Sequence, residues 1–286
     1  MLCIYHIADH DGKGSAAIVK RLYPEAELLG LNHDMEIPFD DIRQHEKIII
    51  CDIALPLEFM FELNESRDLT WIDHHASVIN EYDEAMKKGA GREIKGLRRI
   101  GTAAICLTWE YFYPQTEAPE GVKLLGLNDI FDLRDERVRP FEYAFQSLGV
   151  NRPTDKTWDD LLSGKMNIEE MVEKGRAILS WIKVRNIRLS HSMAFESEYM
   201  GYKCICANMP QGYSEFYDSL PNIKEYELSS NFFMNKKNNW NLSFYTAKEG
   251  VDVSKIAATL GGGGHVRAAG ASKLKELPEF LQKGKK

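Results

Sequence analysis

LCIYHIADHDGKGSAAIVKRL, residues 2–22, carries the reading of the fold. The apolar run Leu2–Ala8 stops at Asp9, Gly12 and Gly14 are expected to break the chain, and Ser15–Leu22 takes up a helical pattern. Strand, glycine-bearing turn and helix in that order begin a parallel α/β unit. Further strands are expected at Ala26–Leu31, at Leu69–Ile72 and at Lys47–Asp52, where the isoleucine run suits a strand buried on both faces. Leu57–Glu65 reads as a helix or turn, and a helix is expected from Gly101-Thr102 to Tyr113 with Thr102 as its N-cap.

From about residue 118 to 163 the pattern is mostly helical, with Pro140 and Pro153 as interruptions. Ile168–His191 is amphipathic, with Ile168, Met171, Val172, Ile178, Leu179 and Ile182 on one stripe. Strands follow at Met193–Met200, Tyr202–Ala207, Glu225–Met234 and Trp240–Thr246, with helices near Tyr213–Leu220, Asp252–Leu260 and Leu277–Gly284. The Lys-rich tail reads as disordered. The expected class is therefore α/β: an N-terminal parallel-sheet domain (1–165), a linker helix (166–191) and a smaller C-terminal α/β domain (192–286).

A length of 286 residues suits two domains, and 44% apolar with 28% charged residues is ordinary for a globular protein. The balance of 36 basic against 43 acidic residues, a net of −7, argues against a protein that grips long duplex by counterion release. The five cysteines lack zinc-like spacing and read as reduced, buried thiols. The first residues lack the pattern of a secretory leader, and no apolar stretch approaches the roughly 20 residues that span a bilayer, so a cytoplasmic location and no membrane partner are expected. A homodimer is compatible with the sequence but no feature specifies one.

Acidic and imidazole residues recur where strands end: His6, Asp9 and Asp11, then Asp52, then Asp73-His74-His75, with Asn128-Asp129-Ile-Phe-Asp132 further on. In an open parallel sheet, ligands sit beyond the carboxyl ends of the strands. Any one of these carboxylates alone suits a helix cap or a turn equally well; as a group they would repel and shift upward in pKa unless cations relieve them. Mixed oxygen and imidazole donors suit Mn²⁺ better than zinc or calcium.

The series resembles the DHH phosphoesterase superfamily, whose name-giving triplet stands here as Asp73-His74-His75. Gly261-Gly262-Gly263-Gly264-His265-Val-Arg267-Ala-Ala-Gly270 resembles the motif of its companion DHHA1 domain. The resemblance covers both halves of the chain and is nearest to the nano-RNase (oligoribonuclease) type. It implies two divalent metals, Mn²⁺ foremost with Co²⁺ and Mg²⁺ as other occupants. One metal would be held by His6 and Asp9, the other by Asp11, His74 and Asp129, with Asp52 bridging and catalytic, and with Asp73 and His75 orienting ligands or nucleophile. The spacing from His6 to Asp9 departs from the commonest first motif, and in the fourth motif Asp129 is preferred to Asp132.

A helix is expected beyond the glycine run, its N-terminus favouring an anion, with Gly262, Gly263 and Gly264 letting backbone amides approach phosphate. By resemblance His265 is a substrate residue and Arg267 a weaker one; Tyr245 suits either a nucleotide contact or a packed strand. Trp71, Trp109, Trp158 and Trp181 read as core residues, His10 as pointing away from the ligands, and Arg98 and Arg99 suit a substrate phosphate or solvation, with solvation favoured. Arg134, Arg137 and Arg139 suit either a phosphate contact or solvation.

The implied activity is hydrolysis of short oligoribonucleotides or linear dinucleotides such as pGpG to mononucleotides. A cyclic-dinucleotide phosphodiesterase and a 3′-phosphoadenosine 5′-phosphate phosphatase are the enzymatic alternatives. A nucleotide-binding regulator is the rival outside catalysis.

Overall fold

A computed structural model describes residues 1–32, 35–210 and 214–282. Tyr213 and Gly284, the outer ends of two expected helices, and the Lys-rich tail lie outside the described residues. The chain divides into two compact units, Met1–Ile178 and Leu179 onward.

The first unit is built on a four-stranded parallel sheet of order β2-β1-β3-β4, with β1 at Leu2–His6, β2 at Glu27–Leu31, β3 at Lys47–Cys51 and β4 at Asp68–Ile72. Helices α1 (His10–Leu22), α2 (Phe39–Arg43) and α3 (Leu57–Ser66) make the crossovers. Then come α4 (Ala76–Lys87), α5 (Ala104–Phe112), α6 (Glu120–Asp129), α7 (Val138–Ser147), α8 (Thr157–Leu162) and α9 (Ile168–Met193). Ile48, Ile49 and Ile50 of β3 are each 0% exposed, because both sheet faces are covered. Each such burial contributes about 1.5–3 kcal/mol. One face packs on α2–α4, and Cys3, Ile49 and Cys51 meet Ala16 and Val19 of α1 on the other. A larger cluster joins α1 to α5–α9 through Ile18, Ile105, Phe141, Phe145, Trp158 and Val172.

The second unit is a mixed sheet of order β5-β6-β7-β8-β10-β9. Its strands are β5 (Ala194–Tyr199), β6 (Tyr202–Asn208), β7 (Leu228–Met234), β8 (Trp240–Tyr245), β9 (Gly263–Gly264) and β10 (Ala268–Leu274). Only β6 and β7 pair in parallel. Between them lie α10 (Ser214–Asp218) and α11 (Val253–Ala258). Val253 and Ile256 pack with Leu242 and Phe244 on one face, while Phe216 and Tyr217 pack with Ile205 and Ala207 on the other. This is the expected class: a parallel α/β domain followed by a smaller α/β domain.

Several local expectations are corrected. Gly12 and Gly14 lie inside α1 rather than before it. They serve close approach: a Cβ on Gly12 would stand 2.1 Å from the His6 carbonyl oxygen, and one on Gly14 would stand 2.3 Å from Ile105 Cδ1. Pro140 occupies the first turn of α7, where its missing N–H has no intrahelical acceptor to lose. The C-terminal helix reduces to one 3₁₀ turn at Glu279–Leu281. The segment after the glycine run is β10, not a helix; Ala269 and Ala271 alternate inward and the strand zips antiparallel onto β8. Trp71, Trp109 and Trp158 are buried as expected, whereas Trp181 is 63% exposed.

Gly12→Ala drives a methyl into backbone, so urea unfolding is expected to show a loss of about 2–3 kcal/mol. An unchanged midpoint would mean that α1 does not sit this close to β1.

Candidate metal centre

Parallel pairing brings the carboxyl ends of β1, β3 and β4 to one edge, and the first unit concentrates its titratable groups there. His6 is the last residue of β1 and Asp52 the first after β3. Asp73-His74-His75 follows β4. Asp9 caps α1 by accepting from the Gly12 amide at 3.1 Å, and Asp129 ends α6.

Asp52 stands between two histidines. Its Oδ2 lies 3.5 Å from His6 Nδ1, which is also 3.3 Å from Asp9 Oδ2. Its Oδ1 lies 3.3 Å from His74 Nε2, which is 3.3 Å from Asp129 Oδ2 and 3.6 Å from Asp11 Oδ2. Three overlapping donor groups result, His6–Asp9–Asp52, Asp52–His74–His75 and Asp11–His74–Asp129, each with its ligand atoms within 4.8 Å of one another. Asp52 is 2% exposed, and its two oxygens and Asp129 Oδ2 have no hydrogen-bond partner among the described residues. Buried carboxylate oxygens without donors are costly, and bound cations would relieve them. Oxygen and imidazole donors facing one another in this way fit a divalent metal pair.

Neighbouring groups hold this arrangement. Asp73 is fully buried, with Oδ1 accepting from the amides of His74 (2.7 Å) and His75 (3.1 Å) and from His75 Nδ1 (2.7 Å), while Oδ2 accepts from Trp71 Nε1 at 3.1 Å. With its oxygens so engaged, Asp73 orients the two histidines. Asp11 accepts from the amides of Ala104 (2.8 Å) and Ile105 (2.6 Å), so the cap of α5 comes from 93 residues upstream and not from Thr102. Asp52 itself has φ 59°, a left-handed backbone that costs a non-glycine residue about 1–2 kcal/mol.

The electrostatics follow from crowding. Burial and the charge of Asp9 push Asp52 up from 3.8 to about 6, against the attraction of the His6 imidazole 3.5 Å away. Burial and the Asp52 charge carry Asp11 well above the carboxylate range, and burial with Asp11 and Asp52 does the same to Asp129. Burial opposes the charge on His6, but the adjacent carboxylates of Asp52 and Asp9 overcome it and raise His6 to about 10. His75 rises to about 9, burial being outweighed by its bond to Asp73. Asp9 and Asp73 move down, because their histidine partners outweigh burial.

Asp129 is in the cluster, whereas Asp132 binds Arg134 Nε at 2.8 Å and is not part of it. His10 points into the protein: its Nδ1 lies 2.8 Å from Glu142 Oε1 and its ring meets Phe145 edge-on. No sequence signal marked Glu142, which lies 132 residues away. Arg98 is not solvated. It donates to the carbonyls of Trp71 (3.0 Å) and Ile94 (2.8 Å) and lies over the rings of Trp71 and Tyr82. Arg99 pairs with Glu110, Arg137 with Asp135 and Glu120, and Arg139 lies over Phe131.

In the second unit, Gly262 to Arg267 form the β9 strand and the turn into β10. The amides of Gly261, Gly262 and His265 already bond to the carbonyls of Ala258, Ala257 and Ala268, so the run offers no open cradle of amides at those positions. A Cβ on Gly262 would stand 2.0 Å from Gly270 O, which makes glycine a packing requirement there. His265 and Arg267 are exposed, and Tyr245 is half-buried with its ring 6.3 Å from Tyr217. The five cysteines are free, and no helix among the described residues is long and apolar enough to cross a membrane.

An exopolyphosphatase-related protein from Bacteroides fragilis superposes over 98% of this chain and 88% of its own, with a TM-score of 0.52 at 13% identity. The two proteins share a fold. A pGpG-specific phosphodiesterase, PggH from Vibrio cholerae, aligns over 99% of this chain and 97% of its own at 12% identity and a TM-score of 0.49. An uncharacterized protein, R106 of Acanthamoeba polyphaga mimivirus, is 23% identical over 296 residues, covering 93% of this chain. The chain spans 66% of the length of that relative. No protein-family model matches the sequence.

The upward shifts fix the sign of a pH effect. A carboxylate whose folded pKa is raised holds a proton the unfolded chain has released, so stability falls as pH rises from 3.8 through about 6 at Asp52. Asp11 and Asp129 act in the same sense. Asp9 and Asp73 act oppositely, their contribution being lost as pH falls below the ordinary carboxylate range. A bound divalent cation would offset the repulsion, so the Tm difference between Mn²⁺-treated and chelator-treated protein should widen from about pH 4.5 to pH 7. A difference that is constant or shrinks over that range would contradict the cluster's electrostatics.

Proposed function

We propose that the chain is a two-metal phosphodiesterase that cuts short oligoribonucleotides or linear dinucleotides such as pGpG into mononucleotides. The observation that carries this is the position of Asp52, one buried carboxylate presenting one oxygen to His6 and the other to His74. The ordered motif series, with its likeness to DHH phosphoesterases, supports it independently.

A bound pair of divalent cations would supply Lewis-acid polarisation of a phosphoryl oxygen and a water of lowered pKa. His6 and Asp9 would hold one ion, Asp11, His74 and Asp129 the other, and Asp52 would fix their separation. Ligation requires His6 to give up the proton that Asp9 and Asp52 favour, so metal affinity should rise with pH. Asp73 holds His74 and His75 in place, and His75 stands at the rim with its Nδ1 4.0 Å from Asp52 Oδ1. The exposed side chains of His265 and Arg267 are the proposed phosphate contacts, with Gly262, Gly263 and Gly264 leaving room for close approach of the phosphate, and Tyr245 is the proposed base contact. Mn²⁺ is the proposed metal, and the cytoplasm the proposed compartment.

The test is a substrate panel in Mn²⁺: pGpG, a longer RNA, a cyclic dinucleotide and 3′-phosphoadenosine 5′-phosphate. Mononucleotides should appear fastest from pGpG. Preference for the cyclic or bisphosphate substrate would keep the metal chemistry and replace the substrate, and no turnover of any of the four despite bound Mn²⁺ would favour a nucleotide-binding regulator.

Asp52→Ala should abolish turnover, with a loss of at least about 10³-fold, and leave the far-UV spectrum unchanged. Residual activity within tenfold of wild type would rule out Asp52 as the shared ligand.

A further inference from the structure

Between Glu173 and Glu196 the sequence has no acidic residue but carries Lys174, Arg176, Lys183, Arg185 and Arg188, in a chain whose net charge is −7. From Leu179 on, this segment belongs to the second unit as the last four turns of α9. Its inward face is set by Asn186, 2% exposed, with Leu189 packed against the cluster around Tyr217. The opposite face presents Trp181 (63% exposed), Val184 (50%), Arg185 and Arg188. The spacing 181, 185, 188 keeps these three side chains on one stripe. The Arg185 guanidinium lies 5.3 Å over the Trp181 ring, and no acidic group among the described residues pairs with Lys183, Arg185 or Arg188.

We infer that this face of α9 binds single-stranded nucleic acid, with a base stacked on Trp181 and backbone phosphates on Arg185 and Arg188. Aromatic stacking beside a basic track is how single strands are held without sequence preference. Trp181 to Arg188 spans about 10 Å along the helix axis, room for a short run of nucleotides. Arg185, already over one face of the indole, donates Nε and Nη2 to Asn186 Oδ1 (3.4 and 3.1 Å) and leaves Nη1 for a phosphate and the other ring face for a base. Charge selects this occupant over two others. A second copy meeting this patch about a two-fold axis would set arginine against arginine. A membrane surface would need a broad apolar face, and here the exposed stripe offers one tryptophan and one valine, while Leu189 and Met193 pack inward and Ile182 and Ile187 are half-buried. The inference does not rest on the hydrolytic reading, because binding on α9 needs no metal.

The test is fluorescence anisotropy with a labelled single-stranded oligonucleotide of about 15 uridines, in chelator and without divalent ions, at about 50 to 200 mM salt. Wild type should bind, and affinity should fall with salt. Arg185→Glu/Arg188→Glu should weaken binding at least tenfold and flatten the log–log salt slope by about 1.4, at about 0.7 per phosphate contact. Trp181→Ala should weaken it at least fivefold and Trp181→Phe should restore most of that loss. These positions are exposed, so the Tm of each variant should match wild type. Absence of wild-type binding at about 20 mM salt, or equal binding by wild type and the charge-reversed variant, would overturn the inference. So would binding to anionic phosphatidylserine vesicles but not to the oligonucleotide, or a wild-type dimer in sedimentation that Trp181→Ala abolishes.

Discussion

A single buried carboxylate organises the first unit. Asp52 follows a strand with no exposed isoleucine, turns in a left-handed conformation, donates its amide to the Ile72 carbonyl at 3.0 Å, and presents its oxygens to His6 and His74. Each of these features costs free energy in isolation: strain in the backbone, desolvation of the carboxylate, repulsion from Asp9, Asp11 and Asp129. They coexist because β3 is central in the sheet and cannot shift without losing its pairing on both sides. Backbone strain at a buried carboxylate is the pattern expected where structure is held in place for chemistry rather than stability.

The surroundings serve that carboxylate through long-range ties. Asp11 binds the first amides of α5, fastening the start of α1 to a helix that begins more than 90 residues later. Asp73 bonds to the segment around it, and the extended stretch at Lys95–Arg98 runs beside β4, its carbonyls accepting from the amides of Trp71 and Asp73. Arg98 seals that stretch by donating to Trp71 and Ile94 carbonyls. His10 and Glu142 anchor the far side of α1 against Phe145. These contacts restrict rotation of the elements that carry His6, Asp9, Asp11 and His74.

Much of this was legible in the sequence, for identifiable reasons. Strand runs such as Lys47–Asp52 announce themselves by β-branched composition, and carboxylates placed where strands stop can be predicted to converge at one sheet edge. The parallel sheet, the α9 connection and the meeting of His6, Asp9, Asp11, Asp52, His74 and Asp129 were therefore within reach. What failed was decided by tertiary packing. Gly12 reads as a breaker unless the His6 carbonyl is known to press against it. Thr102 looks like a cap unless Asp11 is known to arrive first. The residues after Gly264 look helical by composition, yet β8 offers an unpaired edge and draws Ala268–Leu274 into the sheet. Trp181 looks like core because it lies in an apolar segment, yet it is on the exposed face of α9 with Val184.

The central claim is that two metal ions share Asp52, and electron paramagnetic resonance of the protein titrated with Mn²⁺ tests it most directly. Two ions bridged by one carboxylate couple magnetically, so about two equivalents should yield a spin-coupled dimanganese signal that disappears in Asp52→Asn. An uncoupled six-line spectrum at every loading, or a coupled signal that survives in Asp52→Asn, would contradict the account.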